Sequence, residues 1–157
     1  MKSPHGEKNR LDRVTVKAIV DVATEIDRKI RKRAKPEVTF PVRSLGNVRY
    51  EPKKGYFEIG RASSKRTLTV STAKTFAQTL SMMSLSKELV ETNDFATKRD
   101  AYYQSKNWGE AAFEGQDESD TVMDDIEAMF SMHGVSREQL RYIPDEHGGA
   151  VAGELFV

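Results

Sequence analysis

The chain has 157 residues, 38% hydrophobic and 31% charged, with no cysteine and a formal net charge of +1. Such a length fits one domain plus a polar arm rather than two full domains, and apolar residues recurring after position 12 exclude global disorder. The lack of Cys rules out disulfides and thiolate metal sites, His5, His133 and His147 are too scattered for a local zinc motif, and no apolar run nears the ~18 residues of a membrane span.

The first residues, MKSPHGEKNR, lack the apolar stretch of a secretory signal, so a cytoplasmic address is expected. Residues 1–11 read as a flexible tail. Val16, Ile19, Val20, Ala23, Ile26 and Ile30 then repeat at helical spacing, which predicts an amphipathic helix within residues 12–35. Its cationic end, from Arg28 to Arg33, suits either the negative pole of the helix dipole or a phosphate. Its apolar stripe serves a partner or its own domain.

Pro36 and Pro41 end the helix, and β-branched and aromatic residues follow. Val48–Glu51 and Tyr56–Ile59 flank Pro52-Lys53-Lys54-Gly55 and predict a hairpin, with a third strand over 67–70. Ser71 is the expected cap of a core helix carrying Phe76, Leu80 and Met83 on one stripe. A shorter helix over 97–106, capped by Thr97, precedes a loop at 109–115. Val122, Ile126, Met129, Phe130 and His133 place an apolar face on a third helix from about Ser119, with Asp120, Asp124 and Asp125 offsetting its dipole. Ser136 to Gln139 matches a capping box, and segments 140–143 and 150–157 read as a closing β-hairpin. Three helices followed by a hairpin is the order of a winged helix-turn-helix, so the expected class is α+β, mainly helical, with residues 36–157 as a CAP-like winged-helix domain.

Charge is uneven. Residues 1–66 hold 18 Lys+Arg against 8 Asp+Glu, a net of +10, whereas residues 67–157 hold 7 against 16, a net of −9. The basic part can face nucleic acid or an acidic protein.

Chemistry is concentrated in Thr97 to Lys106. In a helix Arg99 and Tyr103 are i and i+4 and share a face, while Lys98 and Lys106 flank Tyr102 at four residues on either side. A free phenol, with a pKa of about 10, is phenolate in only about one part in a thousand at neutral pH, and a nearby guanidinium favours that nucleophilic form. An arginine can also hold a phosphate oxygen and offset charge in the transition state. Asp100 is a weak acceptor for the phenolic proton. Spacing alone does not choose between Tyr102 and Tyr103, and both can instead pack their rings under cationic stems.

The blocks TFAQTL (75–80), SKELVET (86–92), ATKRDAYY (96–103), ESD (118–120) and GGAVAG (148–153) resemble the A-subunit family of DNA topoisomerase VI, the type IIB topoisomerases, whose eukaryotic relatives make meiotic double-strand breaks. The resemblance implies a winged-helix DNA-binding domain in which Tyr103 is the nucleophile and Arg99 sits beside the scissile phosphate. Lys98, Arg99, Tyr102 and Lys106 are then expected to contact double-stranded DNA. It further implies reversible cleavage through a 5′-phosphotyrosyl link by an A2B2 heterotetramer. Mg2+ would be held by a Toprim domain absent from these 157 residues. ATP would be bound by the B subunit, a GHKL-type ATPase that the N-terminal helix contacts. No metal site is expected in this chain, no Walker-type loop occurs in it, and the chain alone is expected to be inactive. Two alternatives stand beside this reading: a non-catalytic winged-helix regulator, and an interaction module whose basic arm meets an acidic protein.

Overall fold

The computed structural model describes residues 4–143 apart from positions 43, 54 and 61. The first apolar stripe becomes helix α1, Pro4–Arg31. It begins at Pro4, not at residue 12, so most of the expected tail is helical. Proline suits the first helical position because its missing N–H would have no helical partner there, and Glu7 puts an anion in the first turn. Two polar contacts then hold this half of α1. Asp12 takes a hydrogen bond from Lys8 at 3.1 Å and another from the buried Arg141 at 2.7 Å. Neither leaves an apolar period in the sequence, which is why hydrophobic spacing placed the start too late.

Ile19 and Ile26 are buried, and Val22 and Ala23 pack beside them on the shared core, whereas Val20 and Ile30 from the predicted stripe face solvent. The stripe of α1 therefore packs on its own domain. At its end Arg28 is held by Glu25 at 2.7 Å and Arg31 by Asp27 at 2.6 Å.

Strands β1 (Glu37–Pro41), β2 (Val48–Glu51), β3 (Tyr56–Ile59) and β4 (Ser63–Thr67) follow. β1 pairs antiparallel with β4, Glu37 opposite Thr67, and β2 pairs antiparallel with β3, Val48 opposite Ile59. The predicted hairpin has the expected bounds, with Gly55 at φ 75 in its turn, a left-handed conformation that glycine adopts without a Cβ clash. Asn47 joins the two ladders into one ribbon: its side-chain amide donates to the carbonyls of Val42 (2.7 Å) and Ala62 (3.0 Å) and accepts from Ala62 N (3.0 Å). The third strand spans 63–67 and not 67–70. Beyond Thr67, the Thr72 hydroxyl accepts from Thr69 N at 2.8 Å and bends Val70–Thr72 into a 3-10 turn. Ser71 lies within that turn, and the position before the next helix is Thr72.

Helix α2, Ala73–Thr92, runs through the core, burying Phe76, Met82, Met83, Leu85 and Leu89. Strand β5 (Ala96–Thr97) leads into α3 (Lys98–Ser105), and α4 (Gln116–Ser131) buries Val122, Met123, Ile126, Met129 and Phe130. α4 starts at Gln116 rather than near Ser119 because the extended Gly115 enters it and the Glu118 carboxylate reaches back to Glu114 N at 2.8 Å. Strand β6, Tyr142–Ile143, pairs parallel with β5, Ala96 opposite Tyr142. The expected hairpin partner of this strand, 150–157, lies outside the described residues. Leu140, placed in that strand by its sequence, ends a 3-10 turn instead. The architecture is α+β and mainly helical.

Two polar ties lock the end of the described chain to α2: Tyr142 donates to the Met82 carbonyl at 2.7 Å and Ser86 to the Leu140 carbonyl at 2.8 Å. The foot of the ribbon is fixed to α4 by Arg66, which donates to Asp125 at 2.7 Å and covers the Phe40 ring at 4.7 Å.

Candidate active site

Eight residues are too few for a helix to stand alone in water, so α3 depends on its cap and its packing. Thr97 supplies the cap: its hydroxyl accepts from Asp100 N at 3.1 Å, and the Asp100 carboxylate accepts from Thr97 N at 3.0 Å and Thr97 Oγ1 at 2.8 Å. These bonds hold the Asp100 carboxyl below the usual aspartate range. A carboxylate engaged and acidified in this way is a poor acceptor for a phenolic proton, and its place in the fold is the cap. Ala101 and Ser105 turn inward, leaving Arg99 and Tyr103 on the outer face.

There the Arg99 guanidinium donates to the Tyr103 hydroxyl at 3.3 Å and lies 5.7 Å from the ring centroid. Tyr103 is 54% exposed. Tyr102 sits differently. It is half-buried against the core, with the Lys106 ammonium 4.2 Å from its ring centroid. Lys106 in turn donates to the Phe113 carbonyl at 2.6 Å. The tyrosine rings lie 5.4 Å apart, yet Tyr103 presents its hydroxyl at the surface beside a guanidinium, while Tyr102 is tucked under a lysine stem.

Of the side chains expected at DNA, Lys98 pairs with Asp124 of α4 at 3.3 Å and Lys106 is bound as described, so both are engaged within the protein. Residues 109–115, read from sequence only as a loop, form with Lys106 and Trp108 the wall behind Tyr102. Ser105 accepts from Phe113 N at 3.3 Å, Trp108 meets Phe113 edge-on at 5.8 Å, and Lys74 of α2 pairs with Glu114 at 2.6 Å. Trp108 and Phe113, beside Gly109 and Gly115, were the available signal, but the polar side chains that hold the wall, Lys74 and Gln78, lie on α2. Among the described residues no three His, Asp or Glu gather where they could hold a metal ion, and no helix is long and apolar enough to cross a membrane.

A cationic, tyrosine-bearing helix set in a mainly helical α+β domain defines a class that comparison with known proteins makes specific. The Type IIB DNA topoisomerase family model matches residues 74–141, which span α2, α3, α4 and both tyrosines. The A subunit of type 2 DNA topoisomerase 6 from Methanocaldococcus jannaschii is 45% identical over 139 residues, covering 88% of this chain and 37% of the relative. The proteins of the same name from Pyrococcus abyssi and Methanothermobacter thermautotrophicus are each 33% identical, over 147 and 123 residues. They are covered over 37% and 34% of their lengths, so the chain spans little more than a third of the curated relatives it matches. The chain belongs to the family of type 2 DNA topoisomerase 6 A subunits, matching its amino-terminal portion.

Proposed function

We propose that this chain is the DNA-binding, nucleophile-bearing part of a type IIB topoisomerase A subunit, with Tyr103 as the attacking residue and Arg99 as its phosphate-holding neighbour. The observation that carries this reading is the 3.3 Å hydrogen bond from Arg99 to the Tyr103 hydroxyl on the exposed face of α3. The helices α2, α3 and α4 with the β5–β6 pair are read as a winged helix-turn-helix that lays α3 against a duplex. Lys98 and Lys106 then act mainly by fixing α3 and Tyr102, and Arg99 faces the phosphate.

In the reaction the phenolic proton leaves Tyr103, the tyrosine oxygen bonds to a backbone phosphorus, and the bond to the 3′ oxygen breaks. The departing 3′ oxygen takes up a proton. The product is a 5′-phosphotyrosyl link that conserves the ester, so the 3′ hydroxyl can reverse the step. Arg99 steadies the phosphate oxygens as negative charge grows on them. In this reading Mg2+ belongs to a Toprim domain and ATP to a GHKL-type B subunit. The assembly is A2B2, with the exposed Val20 and Ile30 of α1 available to the B subunit.

The test is covalent capture on supercoiled DNA, with this chain joined to a Toprim domain and supplied with the B subunit, Mg2+ and ATP. After denaturant trapping, protein is expected on 5′ ends. Tyr103→Phe abolishes capture and Tyr102→Phe retains it; the reverse pattern refutes the assignment. Arg99→Ala lowers capture by about a hundredfold, and unchanged capture removes its role. Salt-sensitive duplex binding with no capture under any condition would favour the non-catalytic regulator.

A further inference from the structure

The β2–β3 ribbon carries chemistry that the tyrosine site does not use. Its register sets Tyr50 opposite Phe57 with the rings 5.2 Å apart, and the two-residue alternation of a strand puts Val48 on the same side. That side is open: Phe57 is 71% exposed, Tyr50 53% and Val48 38%. Single exposed apolar residues are ordinary, but three gathered on one side of a hairpin mark a binding face.

Charge decides what it binds. In sequence, residues 41–66 hold seven Lys or Arg against two Glu; of these, Lys65 and Arg66 pair with Glu37 and Asp125, while Arg49 on the ribbon's other face and Lys53 in its turn are exposed. Those exposed cations favour a polyanion over a basic partner. A two-stranded ribbon also has a width that a duplex groove admits, and apolar side chains on such arms can wedge between base steps.

Position supports the same partner. Arg66, at the ribbon's foot, is bound to Asp125, and Lys98, the first residue of α3, is bound to Asp124. Arg66 belongs to β4, in the ladder that Asn47 ties to the ribbon, so that ladder and the tyrosine helix are anchored on adjacent residues of α4.

We infer that the β2–β3 ribbon is a second duplex-DNA contact, in which Tyr50 and Phe57 lie in a groove while Arg49 and Lys53 neutralise flanking phosphates. The inference rests on the reading of DNA as substrate given above. It is tested by fluorescence anisotropy of the whole chain with a labelled duplex over a salt series, each variant first shown to melt like the parent. Replacing Arg49 and Lys53 together by Ala is expected to reduce the slope of log affinity against log salt by about 2, two contacts at ~0.9 each. Replacing Tyr50 and Phe57 by Ser is expected to weaken binding about tenfold per ring with the slope unchanged. If the double charge variant melts early, Lys53→Ala alone, in the turn, is expected to lower the slope by about 1. Parental affinity and slope in both sets overturn the proposal and leave the face to a protein partner. If the parent chain itself shows no salt-dependent binding, the DNA reading falls as well. Binding by the parent with indifferent ribbon variants sinks the ribbon alone.

Discussion

Removing the cap of α3 with Asp100→Ala deletes the acceptor of two hydrogen bonds, from Thr97 N at 3.0 Å and Thr97 Oγ1 at 2.8 Å, and takes an anion from the first turn. The site is exposed, so neither term has the strength of a buried charge pair; losses of this kind cost about 1–2 kcal/mol. For a domain of this size that lowers the melting temperature by about 3–8 °C. Thr97→Ala costs about 1 kcal/mol, and the double variant costs less than the two losses combined, because the bonds are reciprocal. The pH dependence is a sharper check. The folded-state pKa of Asp100 is lowered, so the stability it adds is complete above the unfolded aspartate value of about 4 and is lost as pH falls through the lower folded value. Urea unfolding of parent and Asp100→Ala at pH 7, 5 and below 4 reads both effects. The expected gap is equal at pH 7 and 5 and narrows below 4. No gap at neutral pH, or one that widens in acid, would refute this account of the cap.

Two further predictions probe the frame around the site. Tyr142→Phe removes the hydroxyl that donates to Met82 O at 2.7 Å and costs about 1 kcal/mol in urea unfolding. Full burial pushes this phenol well above the usual tyrosine range, so the cost stays constant from neutral to mildly alkaline pH, and a cost that vanishes on alkalinisation would contradict it. In Gly60→Ala the new methyl would sit 2.8 Å from the Asn47 carbonyl oxygen, the same oxygen that accepts from Gly60 N. The two strands must part there by a few tenths of an ångström. Hydrogen exchange is expected to show lost amide protection in the ribbon with α2 and α4 unchanged; unchanged ribbon protection would show that the approach is looser than described.

What the sequence determines by itself is what neighbouring residues determine. Apolar spacing gave α2 and α4, the Pro52-to-Gly55 turn gave the β2–β3 hairpin with its observed bounds, and Thr97 gave the cap of α3, whose second half, Asp100, the sequence offered only as a proton acceptor. The i, i+4 spacing of Arg99 and Tyr103 already placed them on one helix face, where they meet. Distant partners decided the rest. Tyr102 and Tyr103 are alike in sequence, and only the wall at 106–115 makes one a packed ring and the other a surface hydroxyl. That Lys98 pairs with Asp124, 26 residues away, and that Asp12 of α1 is held by Arg141, 129 residues away, is set only by folding. The parallel pairing of β5 with β6 also joins segments with no local signal for each other. Helix periods, turns and caps are energies of adjacent residues and can be read in order along the chain. Ion pairs, strand partners and the burial of one ring over its neighbour are energies of residues that meet only after folding.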